Sequence, residues 1–262
     1  MTDTSTPTTD EDRTIAELVD VTRTYDGISV VDSVSLSISP GVTAVIGPNG
    51  SGKSTLLGLL AGTVEPVEGV VNRVGPGDER GERRVGYLPQ DVPFRESFTA
   101  RETLAFYARF VDADPDAHIA SVGLTDAADR RVDALSGGMR RLLGIAQATI
   151  GDPPLVVLDE PTSGLDPGMC ERAFRLAAAA ADGATAVVVS SHDLDPVGEY
   201  ADRLVLLDRG TIAAAGGVDS LFEEHDVSSV AGLYRSVVGS DSNSEGGPSD
   251  TDPAVHVTGV SE

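Results

Sequence analysis

The residue whose type and position point most directly to chemistry is Lys53, the only lysine among 262 residues. The other eighteen basic residues are arginines. Lys53 lies in the segment Gly47-Pro48-Asn49-Gly50-Ser51-Gly52-Lys53-Ser54, which fits the phosphate-loop pattern Gly-x-x-x-x-Gly-Lys-Ser. In such a loop a compact ammonium must reach the β- and γ-phosphates of a nucleotide, where a planar, forked guanidinium does not fit. Lysine is therefore kept where arginine cannot replace it, and the segment predicts a nucleotide site.

The elements on either side of this segment are those that a phosphate loop requires. Residues 42–46 form a short apolar run typical of a buried strand, and residues 54–60 have helical character. In the order strand, loop, helix, main-chain N–H groups of residues 49–54 converge on phosphates at a helix N-terminus. Ser54 would offer its hydroxyl to Mg²⁺.

A second apolar run, residues 155–158, ends in Asp159 and Glu160. This places Asp159 at the C-terminal edge of a sheet, where ligands bind in such folds. We expect Asp159 to hold Mg²⁺, directly or through water, and Glu160 to orient and deprotonate the attacking water. Taken alone, the pair could equally be a solvated acidic turn at the end of a strand.

A third segment, Ser136-Gly137-Gly138, precedes a helical stretch. A serine cap with approachable main-chain amides at a helix N-terminus can bind an anion. Taken alone, the segment could be a flexible turn.

These three elements, in this order, resemble the nucleotide-binding domain of ABC (ATP-binding cassette) transporters. Four more features match the family pattern. Tyr25 lies where the family stacks an aromatic ring on adenine, and Gln90 matches the glutamine that reaches Mg²⁺ and water. Residues 163–166 match the loop after the catalytic glutamate, and His192 matches the histidine that contacts the γ-phosphate. The resemblance covers about residues 14–225.

The resemblance implies an α/β fold, with a P-loop NTPase core (ABC ATPase), an antiparallel β subdomain and a small α-helical subdomain at about residues 91–150. The ATPase domain would span residues 14–238. Two copies would dimerise head to tail, so that Ser136 and Gly138 of one copy cover the ATP of the other. The implied roles are catalysis for Lys53, Gln90, Glu160 and His192; Mg²⁺ binding for Ser54, Gln90 and Asp159; and ATP binding for Tyr25, Gly47, Pro48, Asn49, Gly50, Ser51, Gly52, Lys53, Ser54, Thr55, Ser136, Gly137 and Gly138.

The chain departs from the commonest family signature at Met139, where the family has glutamine. Methionine at this position is familiar among ATPases paired with separate export-type permeases. The anion contacts that we expect come from Ser136 and main-chain amides, so activity should survive the change. The stretch of residues 135–141 resembles the ATPases of ABC-2-type exporters, and the resemblance favours export.

A permease would have to be a separate polypeptide, because no run of about 18 apolar residues occurs in the chain. The resemblance then places the chain at the cytoplasmic face of the membrane. Six of the eleven aromatic residues lie between residues 87 and 110, where the family docks the permease. We expect a helix over residues 99–111 that buries Phe106 and Phe110 in the subdomain core, with Phe94 or Phe98 nearer the docking groove.

The net charge of −23 argues against nucleic-acid binding, because nothing resembles a basic footprint. Residues 1–13 and 239–262, which read as disordered tails, carry −8 of it and leave −15 on residues 14–238. Two interpretations are open: an ordinary acidic protein, or adaptation to high salt, which screens repulsion between carboxylates. Depleted lysine and abundant aspartate favour high salt.

Two other functions compete with transport. Soluble ABC-type ATPases of translation usually carry two cassettes in one chain, and those of DNA repair insert a long coiled coil, whereas here 45 residues separate Gln90 from Ser136. A catalytically silent regulatory cassette is the other alternative, and the intact set of catalytic residues argues against it.

Overall fold

The computed structural model describes residues 13–73, 84–181 and 183–239. The two expected tails lie almost wholly outside these ranges, so their disorder stays a prediction. The strands are β1 Ala16–Tyr25, β2 Ile28–Ile38, β3 Gly41–Ile46, β4 Glu68–Arg73, β5 Val85–Leu88, β6 Leu155–Leu158, β7 Ala186–Ser190, β8 Arg203–Asp208 and β9 Thr211–Gly217. The helices are α1 Lys53–Ala61, α2 Ala100–Ala108, α3 Pro115–Ser121, α4 Gly137–Thr149, α5 Pro167–Ala180, α6 Leu194–Tyr200, α7 Val218–Glu224 and α8 Val230–Val238.

The larger sheet has the strand order β5-β6-β7-β3-β8-β9. Neighbouring strands are parallel except for β8 and β9, which are antiparallel. Both faces of β3 and β6 are buried, which explains why their sequences are continuous apolar runs. Because parallel strands end at the same edge, the loops after β3, β6 and β7 lie side by side. These loops carry the phosphate loop, the Asp159–Glu160 pair and His192.

The smaller sheet is antiparallel, with the order β2-β1-β4. Helix α1 lies between the two sheets, and its leucines share one buried cluster with residues from both. This double burial explains why α1 is apolar almost all around, instead of on one face. The helix that follows the phosphate loop is thus held rigidly from two sides.

Helices α4 and α5 cover the opposite face of the larger sheet, and α2 and α3 pack near α4. The predicted α/β fold, with an antiparallel β part and a helical part, is confirmed. None of the helices among the described residues is long and apolar enough to cross a membrane.

The prediction that Phe106 and Phe110 form core is wrong. Their exposed fractions are 42% and 65%, and their rings meet edge to face at a centroid distance of 5.5 Å. Helix α2 ends at Ala108, so Phe110 follows the helix instead of continuing its buried stripe. The face of α2 that turns inward carries small and aliphatic residues, namely Ala100, Thr103 and Leu104.

Candidate nucleotide site

The phosphate loop joins β3 to α1 and is pressed closely against neighbouring main chain. Gly52 has φ +104°, and a Cβ atom there would lie 2.4 Å from the carbonyl oxygen of Val30. A Cβ atom at Gly47 would lie 2.1 Å from the carbonyl oxygen of Leu207. Glycine is therefore required at both ends of the loop for steric reasons, independently of any ligand.

The Lys53 side chain lies within this loop and is only 6% exposed. Its Nζ donates to the carbonyl oxygens of Gly47, at 2.8 Å, and Pro48, at 3.0 Å. Burial lowers the pKa of Lys53, and the nearby carboxylates of Glu160 and Asp159 oppose that shift. The ammonium is thus held at the loop by weak neutral acceptors, which phosphate oxygens can replace.

Asp159 is buried at the end of β6, with 2% of its surface exposed. Its Oδ1 accepts hydrogen bonds from the Ser54 hydroxyl, at 3.2 Å, and from the Ser190 hydroxyl, at 2.7 Å. A hydroxyl and a carboxylate side by side fit Mg²⁺, which uses few protein oxygens and completes its shell with phosphate and water. The described residues hold no cluster of three or more acidic, histidine or cysteine side chains that would form a metal cage by themselves.

Glu160 is oriented by three neighbours. Its Oε2 accepts from Gln90 Nε2 at 3.3 Å, its Oε1 lies 3.3 Å from His192 Nδ1, and its main-chain N–H donates to Ser190 Oγ at 2.8 Å. Its φ of +47° is uncommon for a residue with a side chain. Such backbone strain persists where surrounding contacts over-determine it, and it is concentrated at functional sites.

One open cavity of about 420 Å³ brings most of these groups together. Segments that lie more than 100 residues apart in the sequence meet there. Its lining consists of Val30, Asn49, Gly50, Gly52, Lys53, Ser54, Thr55, Gln90, Glu160 and His192.

Tyr25 lies outside the lining of this cavity. It is the last residue of β1, pairs with Ile28 at the β1–β2 turn and is 41% exposed. The guanidinium of Arg23 lies over its ring, 4.6 Å from the centroid. One face of the ring is therefore covered by a cation.

The Ser136–Gly138 segment also lies outside the cavity. Ser136 caps α4, because its Oγ accepts a hydrogen bond from the N–H of Met139 at 3.2 Å. Ser136 and Gly137 are exposed, whereas Met139 packs partly against the core. Gly137 lies in the lining of a different cavity, together with Gln90, Phe94 and Gly164.

The Ser51 hydroxyl is buried without a hydrogen-bond partner among the described residues. It lies in the middle of the phosphate loop, close to Gly47. An unpaired buried hydroxyl costs about 1–3 kcal/mol, which a ligand oxygen arriving in the loop would offset. Together with the weakly held ammonium of Lys53, it indicates that the loop fits the phosphates of ATP.

Sequence reasoning missed two residues that organise this site, Ser190 and Arg141. Ser190 precedes His192 at the end of a valine-rich strand, and its hydroxyl joins Asp159 to the main chain of Glu160. The sequence indicated this residue only through its position, as a polar residue at the end of an apolar strand. Arg141 is 9% exposed in the helix that begins at the Ser-Gly-Gly segment, and helical periodicity could have marked it as inward-facing.

The chain is similar to proteins of known family. The family model described as ABC transporter matches residues 31–163. The Nod factor export ATP-binding protein I of Mesorhizobium japonicum is 37% identical over 227 residues, which are 82% of this chain and 66% of that protein. The hemin import ATP-binding protein HmuV of Nocardia farcinica is 40% identical over 204 residues, 71% of this chain and 70% of that protein.

Solved structures show the same fold. An ATP-binding subunit of an ABC transporter superposes with a TM-score of 0.75 at 25% identity, covering 86% of this chain and all of that one. A dimeric ATP-binding cassette in a post-hydrolysis state, bound to ADP and phosphate, superposes with a TM-score of 0.68 at 25% identity, covering 78% of this chain and 98% of that one.

Proposed function

Because this chain belongs to the ATP-binding proteins of ABC transporters and is an ATPase, we propose that its ATP hydrolysis powers a separate membrane permease of the ABC-2 exporter type. The observation that carries the proposal is the cavity that joins the phosphate loop to Gln90, Glu160 and His192. Export is supported by the Nod factor export relatives and by the signature stretch ending in Met139-Arg140-Arg141. The hemin import relative makes import the competing outcome.

In the proposed site, the phosphate loop and Lys53 bind the phosphates of ATP, and Tyr25 stacks on the adenine. Ser54 and Asp159 would hold Mg²⁺, and Gln90 lines the same cavity as Ser54. Bound Mg²⁺ would neutralise charge on the phosphate oxygens. The Lys53 ammonium adds a fixed positive charge in a buried setting, where preorganised charges act most strongly.

Glu160 acts as the general base in this proposal. Its carboxylate accepts the proton of the attacking water, while His192 and Gln90 keep the side chain aimed into the cavity. His192 also contacts the γ-phosphate. The distances of 3.3 Å to both partners are long enough to tighten when ATP arrives.

A second copy of the chain completes the site. Ser136 and Gly138 at the exposed start of α4 cover the ATP held by the phosphate loop of the other copy. The N-terminus of a helix offers free N–H groups and a partial positive charge to the phosphates. Hydrolysis therefore requires the head-to-tail dimer.

The permease docks on the helical part of the chain in this proposal. Phe94 lines a groove next to Gln90, and Phe106 and Phe110 form an exposed edge-to-face pair at the end of α2. Two exposed aromatic side chains in contact are typical of a surface that a partner covers. A helix of the permease lying on this surface would be linked to the active site through Gln90.

The test is co-expression with a membrane protein encoded in the same gene neighbourhood, followed by ATPase assays of the reconstituted complex. In the variant Phe106→Ser/Phe110→Ser, the stimulation of ATP hydrolysis by the permease should fall about 10-fold, because a few aromatic side chains dominate the binding energy of an interface. Hydrolysis by the isolated protein should not change. Val70→Ser, which alters another exposed apolar residue on β4, is the control and should be stimulated normally.

Equal stimulation of the double variant and the control would refute this docking surface, and absence of any stimulation would favour a soluble ATPase.

The direction of transport is tested in the organism that produces the protein. Deletion of the chain should cause the transported compound to accumulate in cells if the complex exports it, whereas depletion of the compound would establish import.

The acidic surface leads us to propose that the protein is adapted to high salt. Its melting temperature should rise with KCl, mostly between about 0.1 M and 1 M, where the Debye length falls from about 10 Å to about 3 Å. Sucrose serves as the control, because it favours compact states without screening charge. A melting temperature that rises equally in sucrose, or not at all in KCl, would contradict the adaptation.

A further inference from the structure

We propose that Arg141 is a positioning residue, which fastens the signature helix α4 to the Gln90 loop and to the main chain of Glu160. The inference rests on the proposed role of Glu160 as the base. Arg141 lies five residues after Ser136 and is one of the few buried charged residues of the described chain. Burial of its charge is costly unless hydrogen bonds or opposite charges compensate for the loss of water.

Among the described residues, the guanidinium donates three hydrogen bonds, each to a main-chain oxygen. Nη1 donates to the carbonyl oxygens of Pro89, at 3.2 Å, and Gln90, at 2.7 Å. Nη2 donates to the carbonyl oxygen of Glu160 at 2.8 Å. One rigid, planar group thus joins two loops that are 70 residues apart in sequence. A lysine has a single nitrogen on a flexible stem and could not span these three acceptors.

Burial and nearby carboxylates act in opposite directions on the charged guanidinium of Arg141. Burial lowers the pKa of Arg141, and the carboxylates of Asp159, Asp91 and Glu160 oppose that shift. Arginine stays protonated in proteins, so the cation also lies close to the carboxylates that would hold metal and accept a proton. Its loss would remove both the hydrogen bonds and this positive charge.

The consequence for Glu160 follows from its backbone. At φ +47° its conformation is maintained by contacts on both sides: Ser190 accepts from its N–H, and Arg141 donates to its carbonyl. Arg141 also holds the main chain of Gln90, whose side chain donates to the Glu160 carboxylate. The same guanidinium therefore positions the main chain of both Gln90 and Glu160, whose side chains contact each other.

Helix α4 is well suited to transmit a displacement to this contact. Helix α4 packs so closely on β5 that glycine is needed on both elements. A Cβ atom at Gly144 of α4 would lie 2.5 Å from the Leu88 side chain, and a Cβ atom at Gly86 of β5 would lie 1.7 Å from the carbonyl oxygen of Ala148. A movement of Ser136 at the start of α4 must then shift the loop that follows β5. In a head-to-tail dimer, this links the ATP that Ser136 covers to the Glu160 of its own chain.

The test measures steady-state ATP hydrolysis and ATP binding by purified Arg141→Lys, Arg141→Met and Arg141→Ala in molar KCl. We expect kcat to fall about 10- to 100-fold, because small misplacements of a catalytic group have effects of that size. The KM and the Kd for ATP should change less than about 2-fold, since the phosphate loop is untouched. Arg140→Met, at the exposed neighbouring position, is the matched control and should keep the wild-type kcat.

Two further measurements distinguish positioning from general packing. Millimolar guanidinium should partly restore kcat in Arg141→Ala and have no such effect on Arg140→Met. In the Glu160→Gln background, Arg141→Met should still form the ATP-trapped dimer. A kcat at the wild-type level in Arg141→Lys would overturn the proposal, as would a loss of ATP binding in parallel with a lowered melting temperature in all three variants.

Failure of the proposed base gives a different pattern. If Glu160→Gln hydrolyses ATP as fast as the wild type, Glu160 is not the base, and the positioning role falls with it. If Glu160→Gln is inactive while all Arg141 variants are fully active, the base stands and only the role of Arg141 is refuted.

Discussion

Replacing Glu160 by glutamine should reduce the kcat for ATP hydrolysis by about 100-fold or more, which is the contribution of a well-placed general base. Glutamine keeps the size of the side chain and can still bond to Gln90 and His192, but it cannot take a proton from water. Binding of ATP depends on the phosphate loop and should remain. The variant should therefore accumulate as a dimer with ATP trapped between two copies.

The measurement combines an assay of phosphate release with the molar mass in solution, in molar KCl and in dilute buffer. Glu199→Gln makes the same change of charge at an exposed position and should behave as the wild type. A Glu160→Gln variant that turns over ATP normally would assign the base to another group. Loss of turnover without a trapped dimer would contradict the head-to-tail arrangement, while leaving Glu160 as the base.

The sequence was most informative where two signals agree. Continuous apolar runs predicted β3 and β6, and the polar residues that follow each run predicted a phosphate loop and an acidic pair. Since both strands are parallel members of one sheet, their C-terminal ends had to meet. The meeting of Ser54 with Asp159, 105 residues apart, follows from this topology.

Short and irregular elements could not be predicted in the same way. Strand β5 has four residues including Gly86, and the exposed β4 lacks a clean alternation, so neither has a readable period. The roles of Ser190 and Arg141 depend on bonds to main-chain atoms of distant loops, which side-chain patterns do not encode. The exposure of Phe110 depends on the end of α2 at Ala108, and helix ends are the least predictable feature.

Replacing Lys53 by arginine should abolish most of the ATP binding and hydrolysis. The change preserves the positive charge and introduces the residue type of the other eighteen basic positions in this chain. The Lys53 ammonium is buried and already within 3.0 Å of two carbonyl oxygens, so the larger guanidinium has no room without opening the loop. We expect affinity for ATP to fall about 10-fold or more, the effect of losing a charge-assisted hydrogen bond. The kcat should fall about 100-fold, as when one preorganised donor is removed from a developing charge.

A matched control is available because lysine and arginine can be exchanged at the surface. Arg130→Lys changes an exposed residue and should leave binding and turnover unchanged. Equal ATP affinity and turnover in Lys53→Arg and Arg130→Lys would refute the role of Lys53 and the steric reason for its retention.

The scarcity of lysine permits an independent test on the unmodified protein. An amine-selective acetylating reagent has a single side chain to attack, Lys53, besides the terminal amine. Acetylation should stop hydrolysis. Bound ATP should protect Lys53 from the reagent, because phosphates would hold the amine in its protonated, unreactive form. Full activity after complete acetylation of Lys53 would show that the ammonium is dispensable, because the modification removes the charge that would bind the phosphates.

The affinity for ATP should also depend on pH. In the free protein, burial lowers the pKa of Lys53, so the side chain loses its charge at a lower pH than an exposed lysine does. As the pH rises, the affinity for ATP should therefore begin to decline before the pH reaches 10.5, the ordinary pKa of lysine.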